Sequence, residues 1–293
     1  MVIKRSVGEH IFNIFNIILM LFMVVITLYP FLYVVFASFS VPLQYVANIG
    51  LLVRPLGFTW DAYRAVINNP NIISGYRNTI FIVFVGTALS LLFSAMGAYV
   101  LSRRNLYWRK VLTFLLIFTM YVSGGMIPDF LLIRNLGLIG SRWSIILPGM
   151  ISTWNLIILR TAFYSIPDSL EESARIDGAW EITILFKVLL PLLVPTLAVI
   201  ALFYGVSYWN EWFRAMIYVQ DRTLHPLQLI LREILINAQT AEMTEGEGFA
   251  DRWAAAQTIR HATIIVATIP ILCLYPFLQK YFVKGVMVGA VKG

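Results

Sequence analysis

Charge is what this sequence lacks most. Only 13% of its 293 residues are Asp, Glu, Lys or Arg, while 59% are hydrophobic and the mean hydropathy is +0.79. A soluble domain carries about a quarter charged residues, and a water-soluble fold of this size has no core large enough for so much apolar surface. The surplus must face lipid. Cysteine is nearly missing too. Cys273 stands alone, which excludes an intrachain disulfide and leaves a small apolar residue. Histidine is scarce, and His10, His225 and His261 lie too far apart in sequence for any local metal-ligand spacing. No HExxH, GxSxG or G-x-x-x-x-G-K-[ST] pattern occurs. The expectation is no metal, no cofactor bound by this chain, and no enzyme.

Charge is absent in runs, and the runs locate the helices. None of the four charged types occurs in His10–Val53, Asn78–Ser102, Val111–Pro128, Trp143–Leu159, Val188–Asn210 or His261–Gln279. Crossing about 30 Å of hydrocarbon at 1.5 Å per residue takes roughly 20 residues. The spacing therefore predicts an all-α polytopic membrane protein, one domain over residues 1–293. Its six spans lie near 11–38, 77–102, 110–133, 143–166, 188–219 and 259–282. The first run is longer than one span, so its second half, with Pro42 and Pro55, reads as an apolar outer loop. It is also too long for a signal peptide and lacks a small-residue cleavage pattern.

Basic residues set the orientation. An even span number puts both termini on one side. All six lysines then fall with the N-terminus, as does the tight Arg103-Arg104…Arg109-Lys110 loop. Both termini are expected in the cytoplasm. The net charge of +7 is accounted for by this positive-inside anchoring and calls for no nucleic acid.

The segment between the fourth and fifth spans, 167–187, holds the densest signal. It contains Pro167-Asp168-Ser169-Leu170-Glu171-Glu172-Ser173-Ala174-Arg175-Ile176-Asp177-Gly178-Ala179-Trp180. Asp168 reads as an N-cap, with Glu171 favouring the first turn. Gly178 breaks the helix, Trp180–Lys187 reads as a second short helix, and Pro191 opens the fifth span. Two short amphipathic helices around a glycine turn lie in a membrane interface or dock into a partner's groove.

Glu172-Ser173-Ala174-Arg175-Ile176-Asp177-Gly178, followed by Val188-Leu189-Leu190-Pro191, resembles the EAA loop of binding-protein-dependent ABC importer permeases. Ser173 stands for that pattern's first alanine and Val188 for its isoleucine; the Gly178-to-Pro191 spacing matches. Tyr208-Trp209-Asn210-Glu211-Trp212-Phe213 resembles the W-N-E-F signature of carbohydrate-type permeases, and Phe282-Val283-Lys284-Gly285…Gly289-Ala290-Val291-Lys292-Gly293 their terminal tail. Gly124-Gly125-Met126-Ile127-Pro128…Asn135-Leu136-Gly137-Leu138 and Leu147-Pro148-Gly149 are similar to a subgroup that handles oligosaccharides from acidic polysaccharides.

The resemblance implies the shorter, maltose permease G-like partner of a maltose-type importer in a bacterial inner membrane. It implies a second homologous permease in a heterodimer, two ATPase subunits carrying ATP and Mg, and an extracytoplasmic solute-binding protein that delivers sugar. Glu171, Glu172, Ala174, Asp177, Gly178, Ala179 and Pro191 become the coupling residues, seated in a cleft of the ATPase. ATP binding then moves this segment and flips the cavity.

A sugar ring has apolar faces and polar edges, so its path pairs aromatics with amides and carboxylates. Tyr204, Tyr208, Trp209, Asn210 and Glu211 in the fifth span, Trp154 and Asn155 in the fourth, and Tyr121 and Ser123 in the third offer those types. Aromatics at span ends also anchor helices at the lipid interface, so both readings stand. Pro30, Pro148, Pro191, Pro195, Pro270 and Pro276 bend helices around a cavity, or reflect the general abundance of proline in membrane helices. The outer loop Asp221–Arg260, with Glu242, Glu245, Glu247 and Asp251 beside Gly246 and Gly248, is either a solvated loop or a docking surface for the binding protein. A permease for another small solute, or a secondary transporter or channel, remains the rival. The latter usually places ionisable groups deep in its spans, and these span centres have none.

Overall fold

The structure, a computed structural model, describes residues 7–240 and 249–290. Its helices run α1 (Val7–Ser38), α2 (Pro42–Ala47), α3 (Asp61–Ile67), α4 (Pro70–Ser102), α5 (Arg109–Tyr121), α6 (Met126–Asn135), α7 (Trp143–Ile146) and α8 (Thr153–Tyr164). They continue as α9 (Asp168–Ile176), α10 (Glu181–Thr183), a π-helical turn Ile184–Leu189, α11 (Leu190–Leu192), α12 (Val194–Trp209), α13 (Phe213–Tyr218), α14 (Leu227–Thr240) and α15 (Phe249–Ala290). Among the described residues, three helices are long and apolar enough to cross a membrane unaided: α1, α4 and, over Ala250–Cys273, α15. With each of three bent helix pairs taken as one span, the number by length and composition is six. The sequence reads as one domain, whereas the chain divides into two compact units, 1–69 with 233–268 and 70–232 with 269–293.

The expected single helices over 110–133, 143–166 and 188–219 are each broken. α5 and α6 meet at 114° across Val122–Gly125, where Gly125 takes a φ of +86°. Pro128 sits in the first turn of α6, where its missing N–H costs nothing. α7 and α8 bend by 49° around the 3₁₀ turn Leu147–Gly149, which holds Pro148. The fifth pair bends by 89° at Leu193, between Pro191 and Pro195. The regular fifth-span helix therefore opens at Val194 rather than at Pro191, and it ends at Trp209 rather than 219. The second span also begins earlier than expected, at Pro70, since Arg77 is exposed on α4 and does not end it.

In the first unit, α1 leaves the apolar side chains between Ile11 and Leu32 exposed, as lipid-facing residues must be. The expected apolar outer loop is ordered by local contacts. Ser40 Oγ donates to Phe36 O at 2.7 Å and accepts from Leu56 N at 3.0 Å. The Phe39 ring packs on Phe58, Trp60 and Tyr63 with centroids 4.7–5.7 Å apart across this cluster. Tyr45 bonds Tyr33 at 3.0 Å and His261 of α15 at 2.8 Å.

In the second unit, α4 is the central post. Gly86, Ser90 and Ser94 fall at i, i+4 and i+8, which lines them along one face, and that face receives α12. Ser90 Oγ lies 3.1 Å from Tyr208 Oη, and Ser94 Oγ 2.6 Å from Tyr204 Oη. Tyr208 also donates to Ile146 O at 3.1 Å, while Tyr204 accepts from Ser152 N at 2.9 Å. Two tyrosines thus join α4 and α12 to the α7–α8 break. At its other end, buried Asn78 donates to Thr223 O (2.7 Å) and His225 O (3.0 Å), and Thr79 accepts from Leu227 N at 2.8 Å. Outside the spans, the side chain and amide of Thr223 hold the Asp221 carboxyl below its usual range.

Close approach makes Gly86 the critical glycine of this interface. A Cβ there would stand 2.7 Å from the Tyr208 ring, whereas one at Gly205 meets only ordinary contacts at 3.7–4.0 Å. Overpacking costs about 1–3 kcal/mol, so Gly86→Ala should lower the thermal midpoint of the purified protein by several degrees. Gly205→Ala should leave it unchanged or raise it. Equal midpoints for the two variants would refute this packing.

Candidate functional site

The segment from Asp168 to Leu192 forms the site, and its ends are built by local chemistry. Pro167, in extended conformation (ψ 133°), is the N-cap of α9. Asp168 is expected as the cap but is the first helical residue, and its carboxylate instead lies 3.3 Å from Arg104. Asp168 and Glu171 still place negative charge at the positive end of the helix dipole. At the other end the amide of Gly178 donates to Arg175 O (3.0 Å) and that of Ala179 to Ala174 O (2.9 Å). These two bonds form a Schellman motif, which requires a left-handed residue after the helix. Gly178 supplies it with φ +78°. Ala174 and Ala179, brought together by the same motif, are half-buried against the core of the second unit. A Cβ on Gly178 would meet nothing within 4 Å. Its requirement in this chain is therefore conformational rather than one of space.

Glu171 and Glu172 are adjacent and face opposite ways. Glu171 is 8% exposed and ion-pairs with Arg103, the residue that follows α4. Arg175 bridges Glu171 (2.9 Å) and Glu181 (2.7 Å), and Tyr99 donates its hydroxyl to Glu181. The Arg103 guanidinium lies 4.5 Å above the Tyr99 ring and also donates to Ser102 Oγ and Tyr99 O. These groups line an open cavity of about 770 Å³ with Phe163 and Pro167. Arg103, Arg175, Glu181 and Tyr99 escape the sequence reading. Arginines flanking an acidic segment carry no spacing that names their partners.

Glu172 and Asp177 face solvent, and beside them stand apolar side chains: Ile176 is 87% exposed, Trp180 84% and Ile182 72%. In a segment otherwise rich in charge, three large bare apolar groups thus cluster around one turn. Beyond them the chain passes through the π turn, which carries Lys187, to Pro191 and the 89° bend. Such π turns are frequent at functional sites.

The other proposed residues are dispersed. Tyr204 and Tyr208 are buried within the α4–α12 interface, and Trp209 is buried beside Tyr76. Asn210 is exposed, with its amide donating to Val206 O, and Glu211 pairs with Arg214 at 2.9 Å. Asn155 is buried near the start of α8, where Trp154 is exposed. Tyr121 ends α5 fully in the open, and Ser123 Oγ accepts from Gly125 N in the break. Of the expected outer loop, Glu242, Glu245, Gly246, Glu247 and Gly248 lie outside the described residues. α14 occupies 227–240, and Asp251 lies in the first turn of α15. In the C-terminal tail, residues 291–293 are likewise outside.

Holding an L-residue in the left-handed region costs about 1–2 kcal/mol. Gly178→Val should therefore speed amide exchange of the peptide spanning residues 168–183 by roughly 5–30-fold. Gly178→Asn, which tolerates that region, should change it far less. Mass-spectrometric exchange on the purified protein reads both, and unaltered exchange in the valine variant would contradict the turn.

Residues 90–288 match the family model described as "Binding-protein-dependent transport system inner membrane component". The polygalacturonan/rhamnogalacturonan transport system permease protein YtcP of Bacillus subtilis (strain 168) is 44% identical, covering 94% of this chain and 96% of that one. Protein LplC of the same organism is 41% identical over 97% and 96%. A bacterial ABC transporter involved in the import of the acidic polysaccharide alginate, known as a crystal structure, superposes with a TM-score of 0.85 at 34% identity, covering 96% of this chain and 99% of its own. An EAA-type segment on a six-span helical scaffold, matched over most of its length, places the protein in this family: the chain belongs to the inner membrane components of binding-protein-dependent transport systems, as a permease subunit and not an enzyme.

Proposed function

We propose that this chain is half of the translocation pathway of an ATP-driven importer for oligosaccharides derived from acidic polysaccharides. The observation that carries the coupling half of this reading is the bare tip Ile176–Trp180–Ile182, presented by a capped, ion-paired helix. Apolar anchors ringed by Glu172 and Asp177 suit a groove on a second protein better than open water. The substrate half draws on the pectin-type and alginate-type specificities in the printed names of its relatives.

In this reading the tip seats in a cleft of an ATPase subunit that binds ATP and Mg, with Glu172, Ala174, Asp177, Gly178, Ala179 and Pro191 as coupling residues. A second permease completes a heterodimer, and an extracytoplasmic binding protein delivers the sugar to the outer loops. Trp154, Asn155, Tyr121, Ser123, Trp209, Asn210 and Glu211 border the pathway, while Tyr204 and Tyr208 shape it by holding α12 on α4. Both termini lie in the cytoplasm, on the side of the lysines.

Gly178 has open space around it in this chain, so a side chain added there strains the turn through its φ and, without a clash inside the chain, projects toward a partner. Gly178→Asp and Trp180→Ala should each lower recovery of the ATPase subunits in a pull-down by tenfold or more, with membrane insertion intact. Full recovery with both variants would remove the segment from the coupling role.

Orientation is tested with impermeant maleimide on single cysteines in a Cys273→Ser background. A cysteine introduced as Glu245→Cys should label from outside, and one introduced as Asn105→Cys only after access to the cytoplasm. The reverse pattern would invert the topology.

A further inference from the structure

We propose that Arg103 and Glu171 are positioning residues that carry displacement of the coupling segment into α4. The inference rests on the coupling reading above. By sequence alone the segment is tied to the spans that flank it, through Pro167 and Pro191. The structure adds a third tie, and it is not covalent. Glu171 points away from the tip and takes Arg103 and Arg175 together. Arg175 reaches on to Glu181, Glu181 accepts from Tyr99, and the Tyr99 ring lies under the Arg103 guanidinium. The circuit closes on itself. It holds α9 and the start of α10, on either side of the Gly178 turn, against the last turn of α4.

Exposure separates the Arg103–Glu171 pair from ordinary surface pairing, whereas Arg175 and Glu181 at the circuit's rim are 49% and 57% exposed. The side chains of Glu171 and Arg103 are 11% and 25% exposed, against 62% and 78% for Asp168 and Arg104. An exposed pair contributes little. Separating a mostly buried pair leaves an uncompensated charge, which is strongly unfavourable. A pull on α9 is therefore cheaper to satisfy by moving α4 with it than by opening the pair. Motion of α4 reaches α12 through the hydrogen bonds of Ser90 and Ser94 to Tyr208 and Tyr204. Glu171 is thus inward-facing and transmits, and Glu172 is outward-facing and docks.

The test uses the complete transporter in proteoliposomes, reading ATP hydrolysis, uptake of oligogalacturonides and retention of the ATPase subunits. Glu171→Ala and Arg103→Ala should each cut uptake per ATP hydrolysed by tenfold or more while the ATPase subunits stay bound. Glu171→Gln should fall between these and the parent, and Arg103→Lys should recover part of the loss. The double variant should be no worse than either single one. A short bis-maleimide bridge between Arg104→Cys and Asp168→Cys should leave the parent's ratio within twofold and restore the Glu171→Ala protein, because it replaces the lost tie. An unchanged ratio in Glu171→Ala and Glu171→Gln would overturn the proposal. So would a bridge that halts turnover, since that requires the segment to slide past α4, and so would release of the ATPase subunits by Glu171→Ala, since that puts Glu171 in the docking face. Failure of the coupling reading itself is read separately, from the ATPase recovery of Gly178→Asp and Trp180→Ala.

Discussion

Hydrocarbon offers no hydrogen bonds, and this architecture is what remains once every polar group must find its partner inside the protein. Helices satisfy their own backbone, so the spans are helical. At the α7–α8 break, two freed groups are caught again. Tyr204 accepts the Ser152 amide at the α7–α8 break, and Tyr208 donates to the Ile146 carbonyl one turn earlier. Asn78 and Thr79, buried on α4, serve two carbonyls and an amide of the 223–227 stretch. Residues of the type expected along a sugar's path are here the fasteners that make broken helices tolerable. Chemistry that suits a hydroxylated ligand suits an orphaned backbone equally well.

Scarcity of charge gives each remaining charge a specific position. In the second unit, Arg103, Glu171, Arg175 and Glu181 gather where α4 ends and α9 and α10 begin. Arg103 and Glu171 can remain partly desolvated because each has an opposite neighbour, and the Tyr99 ring covers the Arg103 guanidinium. The apolar tip is the complement of this arrangement. Glu171 is turned toward the protein's own helices, while Ile176, Trp180 and Ile182 stand on the outside beside Glu172 and Asp177.

Much of this was legible in the sequence because hydropathy runs and the Gly178-to-Pro191 spacing depend on few residues. The six uncharged runs correspond to three long apolar helices and three bent pairs, and the glycine expected to break the segment sits in the Schellman turn. What was not legible depends on pairing across distance. No local pattern shows that Arg103 meets Glu171 rather than lipid headgroups, or that Ser90 and Ser94 face tyrosines 118 and 110 residues away. The break in the third span was hidden for a different reason. Gly124 and Gly125 sit within an uncharged run, and composition cannot tell a continuous helix from two that meet at 114°. The N-cap moved by one residue because Pro167 already holds extended geometry, so Asp168 was left free to face Arg104.

The contrast between Gly86 and Gly178 shows how one residue type meets two demands. Gly86 lies within a helix, and its hydrogen leaves room for an aromatic ring that is hydrogen-bonded on the far side. Gly178 has empty space around it and is required for its φ. The first makes the α4–α12 interface close enough for serine hydroxyls to reach tyrosines. The second stops α9 abruptly, so that Ile176, Trp180 and Ile182 project while Glu171 stays clamped behind them. The proposed transmission needs both features. If the turn were loose, force at the tip would bend α9 instead of loading the Arg103–Glu171 pair. If the interface were loose, a displaced α4 would slip past α12 before the pathway felt it.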